Sequence, residues 1–124
     1  MLDASALLAV IYREPGAERV TEVMARGAAI STVNLAEVVE KLSENGLLEA
    51  AIRAVLDPLR LEIVDFGGAL PYQTGYLRPP TQSFGLSLGD RACLALARQR
   101  GLPALTTERA WANLQLGVAV QVIR

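Results

Sequence analysis

The sequence predicts an α/β fold: a three-layer sandwich with a central parallel sheet of about five short strands and helices on both faces. Two observations lead there. Short apolar runs of strand length alternate with stretches of helical periodicity, the pattern of a parallel sheet whose crossovers are helices. Hydrophobic residues make up 52% of the 124 residues, enough to fill one core. No linker or internal repeat divides the chain, so residues 1–124 are expected to form a single domain.

The elements follow in order. Met1-Leu2-Asp3 is the end of a short strand. Ala4 to Arg13 is a helix, broken at Pro15-Gly16, and Pro15 is placed to begin a second helix that Gly27 closes. Ala28 to Ser31 is a small apolar strand. From Asn34 to Glu44, Leu35, Val38, Val39 and Leu42 form an i, i+3, i+4, i+7 stripe. Leu47 to Leu56 is a further helix, ended by Pro58. Leu61 to Phe66 is a strand. Gly67 to Leu77 reads as a helix with Pro71 near its start, and Arg78 to Gly85, with Pro79-Pro80, as a loop. Ser87 caps the strongest helix, which Gly101 ends. That helix is apolar on nearly all faces and should be buried. Leu102 to Thr106 is a strand, Glu108 to Leu116 a short helix and Val118 to Ile123 the last strand.

Composition excludes several chemistries. There is no histidine and a single cysteine, Cys93. Ser-His-Asp and Cys-His catalysis are therefore out, as are zinc sites built on histidine or on several thiolates. A lone cysteine in a helical pattern reads as a small buried apolar residue, and the absence of any internal disulfide fits a cytoplasmic location. Any bound metal would be held by oxygen, which points to Mg²⁺ or Mn²⁺. No apolar run approaches the ~20 residues of a membrane span. The net charge of −1 does not announce nucleic-acid binding. Lys41 is the only lysine, the other cations being arginine, whose fork suits phosphate.

Four carboxylates occupy positions where a site would form. Asp3 and Glu108 each follow a strand and open a helical stretch. Glu37 and Asp90 lie near the starts of helices, in Asn34-Leu35-Ala36-Glu37 and Ser87-Leu88-Gly89-Asp90. Ligands of open α/β sheets bind at the carboxyl ends of strands, where helices start. A cluster of acids there repels itself and makes sense mainly with a cation. Each acid also has a plainer role. Asp3 can cap its helix; Asn34-x-x-Glu37 and Ser87-x-x-Asp90 each match half of a capping box; Glu108 suits a helix N-terminus. Glu37, Glu40 and Glu44 share a polar face, and Glu37 can pair with Lys41. Asp90 resists the plainer reading, because a lone carboxylate on a buried helix is costly.

Leu2-Asp3-Ala4-Ser5-Ala6-Leu7-Leu8, Ser31 to Val38, Leu86 to Ala97 and Leu105 to Trp111 resemble, in order, the four acidic motifs of a PIN domain. The third is the most specific match. Within that family the chain is most similar to the VapC-like toxins of bacterial toxin–antitoxin pairs. The resemblance implies a parallel sheet between helices and Mg²⁺- or Mn²⁺-dependent cleavage of RNA. It implies Asp3, Glu37 and Asp90 as metal-binding acids and Glu108 as the fourth catalytic acid. Ser5 and Thr106 fall on hydroxyl positions beside the first and fourth. It also implies an RNA substrate and a cognate antitoxin as partners, and a homodimer is compatible with it. The sequence departs from the pattern in having Glu108 where Asp is usual, and in the short strand before Asp3. Arg91 and Arg109, each beside a site acid, either steady phosphates or pair locally with a carboxylate. Glu108 favours an alternative, a catalytically degenerate PIN domain that binds RNA or protein without cutting. A phosphoacceptor built on Asp3 fits less well: Lys41 sits mid-helix, and Ser5 stands where a phosphatase would need a second Asp.

Overall fold

Leu2 is the centre of the sheet. In the computed structural model, which describes residues 1–124, Leu2 bridges in parallel to Ile30 on one side and to Leu105 on the other. The bridges are backbone hydrogen bonds: Leu2 N–H donates to Ala29 O at 2.9 Å, Asp3 N–H to Leu105 O at 3.1 Å and Leu105 N–H to Met1 O at 2.8 Å. On one flank β1 (Ala29–Ser31) pairs in parallel with β2 (Glu62–Val64), in the register Ile30 to Ile63. On the other, β3 (Ala104–Thr106) pairs in parallel with β4 (Val120–Val122), in the register Leu105 to Gln121. The order across the sheet is therefore β2, β1, the Leu2 segment, β3, β4. All five members are parallel, as the apolar runs predict, but the regular strands are only 3 residues long.

Strand alternation sorts the core into two clusters, one on each face. Leu2, Ala28, Ile30 and Leu105 point to one side. There they meet α1 (Ala4–Ile11), α2 (Ala17–Ala25), α3 (Thr32–Glu44) and α4 (Glu49–Leu56) through Ala6, Leu7, Val20, Val38, Leu42 and Ile52. Met1, Ala29 and Ala104 point to the other. They are covered by α5 (Leu70–Tyr76), by α7 (Leu88–Arg100) and by Trp111 in a short 3-10 turn. This is the three-layer arrangement expected. In α7 every residue from Arg91 to Ala97 is buried, Cys93 among them.

Several boundaries differ from expectation. The second helix starts at Ala17, not at Pro15, because Gly16 takes a left-handed φ of 93° as its N-cap; there a Cβ would run into the backbone of Ile123. The Arg78–Gly85 segment is not a loop. Pro79 and Pro80 take the first positions of a one-turn helix, α6 (Arg78–Thr81), where a missing N–H is harmless. The stretch after Glu108 is a 3-10 turn over Arg109–Asn113 rather than a helix reaching Leu116. Helix α3 begins at Thr32, since Ser31 and not Asn34 is its cap. That shift moves Glu37 out of the first turn. Lys41 pairs with Glu44 at 3.8 Å, not with Glu37.

Candidate active site

Asp3, Ser31 and Thr106 each follow a residue of the bridged row Leu2, Ile30 and Leu105. They thus stand side by side at the carboxyl edge of the sheet. The chain leaves the central segment toward β1 and β2, then returns to β3 on its other side. The crevice between Leu2 and β3 is therefore the switch point of the topology, where open α/β sheets bind ligands.

Asp3 is the hub. It is 2% exposed and N-caps α1, its Oδ1 accepting Ala6 N–H at 2.8 Å. Thr106 Oγ1 donates to Oδ2 at 2.6 Å, and Ser5 Oγ donates to the same carboxylate at 2.7 Å. The hydroxyls are fixed in turn. Ser5 Oγ accepts Thr107 N–H at 2.9 Å, and Thr106 Oγ1 accepts Glu108 N–H at 3.0 Å. The carboxyl is nonetheless pushed up from 3.8 to about 6. Burial is the main cause and the charge of Asp90 adds to it, while the bonds from Thr106, Ala6 and Ser5 pull the other way.

Glu37 is placed by Asn34, which the sequence suggests only as a helix cap. Asn34 is fully buried. Its Nδ2 donates to Glu37 Oε1 and to the carbonyl of Gly89, both at 3.0 Å. Its Oδ1 accepts the Ser31 hydroxyl at 2.6 Å, and its N–H donates to Ser31 Oγ at 3.1 Å. One amide thus ties β1, α3 and α7 together around a carboxylate. The Glu37 carboxylate lies against Gly89, where a Cβ would overlap it. Its pKa is raised, first by burial and then by the charges of Asp90, Asp3 and Glu40, with the Asn34 bond opposing. The signal for Asn34 was its spacing, three residues from both Ser31 and Glu37, which puts it on their face of the helix. The signal for Gly89 was a glycine in a first helical turn, where alanine is the better former.

Asn34→Ala strips partners from the Ser31 hydroxyl and the Gly89 carbonyl, both in buried surroundings. A loss of about 2–4 kcal/mol in unfolding free energy is expected. Urea denaturation measures it, and a loss below about 1 kcal/mol would show that the amide holds little together.

Asp90 completes a full capping box on α7, not the half that its sequence suggests. Its Oδ2 accepts Ser87 N–H at 2.9 Å, and Ser87 Oγ accepts Asp90 N–H at 3.1 Å. Only one carboxylate oxygen is so engaged. The charge of Asp90 bears on both Asp3 and Glu37. Glu108 stands apart: its backbone joins the Thr106 network, but its side chain is exposed and makes no capping bond.

Neither Arg91 nor Arg109 pairs with a carboxylate. Arg91 is 5% exposed and donates from Nε to Thr81 Oγ1 at 3.0 Å, beneath α6. One step along a helix turns it away from Asp90 and into the core. Arg109 is exposed, and its Nε donates to Arg124 O at 3.4 Å.

The donor set suits a hard divalent ion: three carboxylates, with no nitrogen or sulfur ligand among them. As the side chains stand, no three Asp, Glu, His or Cys groups close on a single ion position. Mg²⁺ keeps several of its waters, so ligation partly through water is compatible with this arrangement. A recess of about 750 Å³ lies elsewhere on the surface. It runs between α3, α4 and the β2 edge, is largely apolar and holds none of the four acids.

A sequence model of the PIN domain matches residues 1–115. No curated protein matches the chain. Among solved structures, VapBC2 from Rickettsia felis, bound to a DNA fragment from its promoter, is similar with a TM-score of 0.76 and 21% identity, covering 98% of this chain and 96% of that one. DNA-bound VapBC from Salmonella typhimurium is similar with a TM-score of 0.75, again at 21% identity, covering 98% and 95%. The likenesses carry the fold, and the family model spans all four acids: the chain belongs to the PIN domain family.

Proposed function

We propose that this chain is a Mg²⁺- or Mn²⁺-dependent endoribonuclease and the toxin of a toxin–antitoxin pair. The observation that carries the reading is the buried Asp3 carboxylate at the switch point of the sheet, held by Ser5 and Thr106, with Glu37 braced by Asn34 on the neighbouring helix. A divalent ion bound there would bring the pKa of a water toward neutrality and offset charge building on the phosphate. Asp3, Glu37 and Asp90 would hold it. The hydroxyls of Ser5 and Thr106 keep the Asp3 carboxylate in one orientation, and Asn34 does the same for Glu37. Glu37 Oε2 and Asp90 Oδ1 are left free of those bonds to ligate or to accept a proton.

The test is cleavage of RNA by the purified chain. Cutting with Mn²⁺ or Mg²⁺ that EDTA abolishes, and that Asp90→Asn reduces by at least about a hundred-fold, is expected. Glu108→Gln should weaken cleavage modestly, since its exposed side chain can act only through water. Full activity in Asp90→Asn would end the nuclease mechanism. The exposure of Glu108 favours one other reading, a PIN domain that binds RNA without cutting it. RNA binding with no metal-dependent cleavage would select that reading.

The partner follows from the fold likeness. VapBC assemblies resemble this chain, and a ribonuclease must be restrained in the cell that makes it. A short antitoxin protein is the proposed restraint. Its gene, placed immediately upstream, should restore growth on co-expression, and its product should co-purify. The same reading puts the protein in the cytoplasm, and no helix is long and apolar enough to cross a membrane.

A further inference from the structure

A recess of about 450 Å³ adjoins the carboxylates and holds side chains that the acid site does not use. Ser5 and Thr107 form its wall toward Asp3. Tyr12 and Asn45, the C-caps of α1 and α3, also line it. Asn45 Nδ2 donates to Tyr12 Oη at 2.6 Å. The Tyr12 hydroxyl hydrogen and Asn45 Oδ1 are left over, one donor and one acceptor, and the Tyr12 residue is 41% exposed.

The recess is also where cations gather. Lys41, the only lysine of the chain, lines it together with Arg124. Glu14 lies there too, paired with Arg124 at 3.1 Å. The Lys41–Glu44 contact of 3.8 Å is exposed on both sides and holds the ammonium only weakly. Lys41 follows Glu37 by one helical turn, about 6 Å along the axis of α3. Positive charge thus begins where the acids end. A cation for phosphate, an aromatic face for stacking and a polar pair for a base edge are the parts by which single-stranded RNA is held.

We infer that this recess is a nucleotide subsite for single-stranded RNA, next to the phosphate that is cut. Lys41 and Arg124 take a phosphate, Tyr12 takes a base face and Asn45 its edge. The assignment rests on the ribonuclease reading above.

The test separates the two. Binding of a short fluorescein-labelled, 2′-O-methylated RNA is followed by anisotropy in EDTA, so neither metal nor cleavage is involved. Tyr12→Ala and Lys41→Ala should each weaken binding about ten-fold, and Tyr12→Phe should lose less than Tyr12→Ala. Lys41→Ala should also flatten the slope of log affinity against log salt by about 0.7. Both side chains are at the surface, and thermal melts confirm that the variants fold. Where cleavage is present, KM should rise with kcat unchanged. A wild type that binds through Tyr12 and Lys41 but never cuts supports the subsite and overturns the nuclease. Unchanged binding in both variants overturns the subsite. So does loss of a co-purifying protein with RNA binding intact, which assigns the recess to that protein.

Discussion

Asp3→Asn is expected to stabilise the metal-free protein at neutral pH while abolishing RNA cleavage. The carboxyl titrates near 3.8 when unfolded and at about 6 when folded. Below the lower value it is neutral in both states and contributes nothing. Between the two, the folded state keeps a proton that the unfolded state releases, so stability falls as pH rises. Above about 6 the loss is constant: roughly two units at 1.36 kcal/mol each, or about 3 kcal/mol. Asparagine carries no charge and is as good an N-cap as aspartate, and the Ser5 and Thr106 hydroxyls can turn to accept its amide. A gain of about 1–3 kcal/mol at pH 8, absent at pH 4, is expected from urea denaturation in EDTA. Cleavage should fall at least about a hundred-fold. A gain that does not depend on pH would mean that the buried charge is not its source. Retained cleavage would remove Asp3 from the reaction.

Gly89→Ala should separate activity from stability in a second way. A Cβ at Gly89 meets the carboxylate of Glu37. That group is the far end of a flexible side chain, so it moves and the backbone does not. Displacement breaks the Asn34 Nδ2 bond to Glu37 and leaves the carboxylate out of place. Alanine meanwhile favours the helix by up to about 1 kcal/mol. Cleavage should therefore drop about ten- to hundred-fold, with unfolding free energy unchanged or slightly higher. Wild-type cleavage in a folded Gly89→Ala would mean that the position of Glu37 is immaterial. A stability loss above about 1 kcal/mol would show that the helix gives way instead.

The layers and the parallel sheet were legible because both depend on periodicity, which a sequence displays directly. Runs such as Leu102 to Thr106 and the all-round apolar helix after Ser87 admit few other packings. What escaped was set by contacts between distant segments. Ser31 caps α3 in place of Asn34 because β1 runs straight into the helix, which frees Asn34 to point inward. No local pattern reveals that its amide will meet the Gly89 carbonyl. Arg91 was misjudged for a related reason: beside Asp90 in sequence, it is about 100° round the helix in space, and that direction is the core. Topology put Asp3, Glu37 and Asp90 at strand ends and helix starts, but their side chains as they stand do not close on one ion position. The Glu108 side chain is exposed, and a 3-10 turn replaces the helix expected after it.

The single-residue centre of the sheet also has a consequence in time. β3 joins β4 from close by in sequence, and β1 joins β2 and Leu2 across about a quarter of the chain, whereas Leu2 must also find Leu105, almost the length of the chain away. Such distant closure is slow to form. During synthesis the first half of the sheet can assemble around Leu2 well before Leu105 leaves the ribosome. Until it does, Asp3 has no Thr106 to hold it, and the acids have no finished crevice. The crevice at the switch point is thus complete only once β3 has joined the sheet.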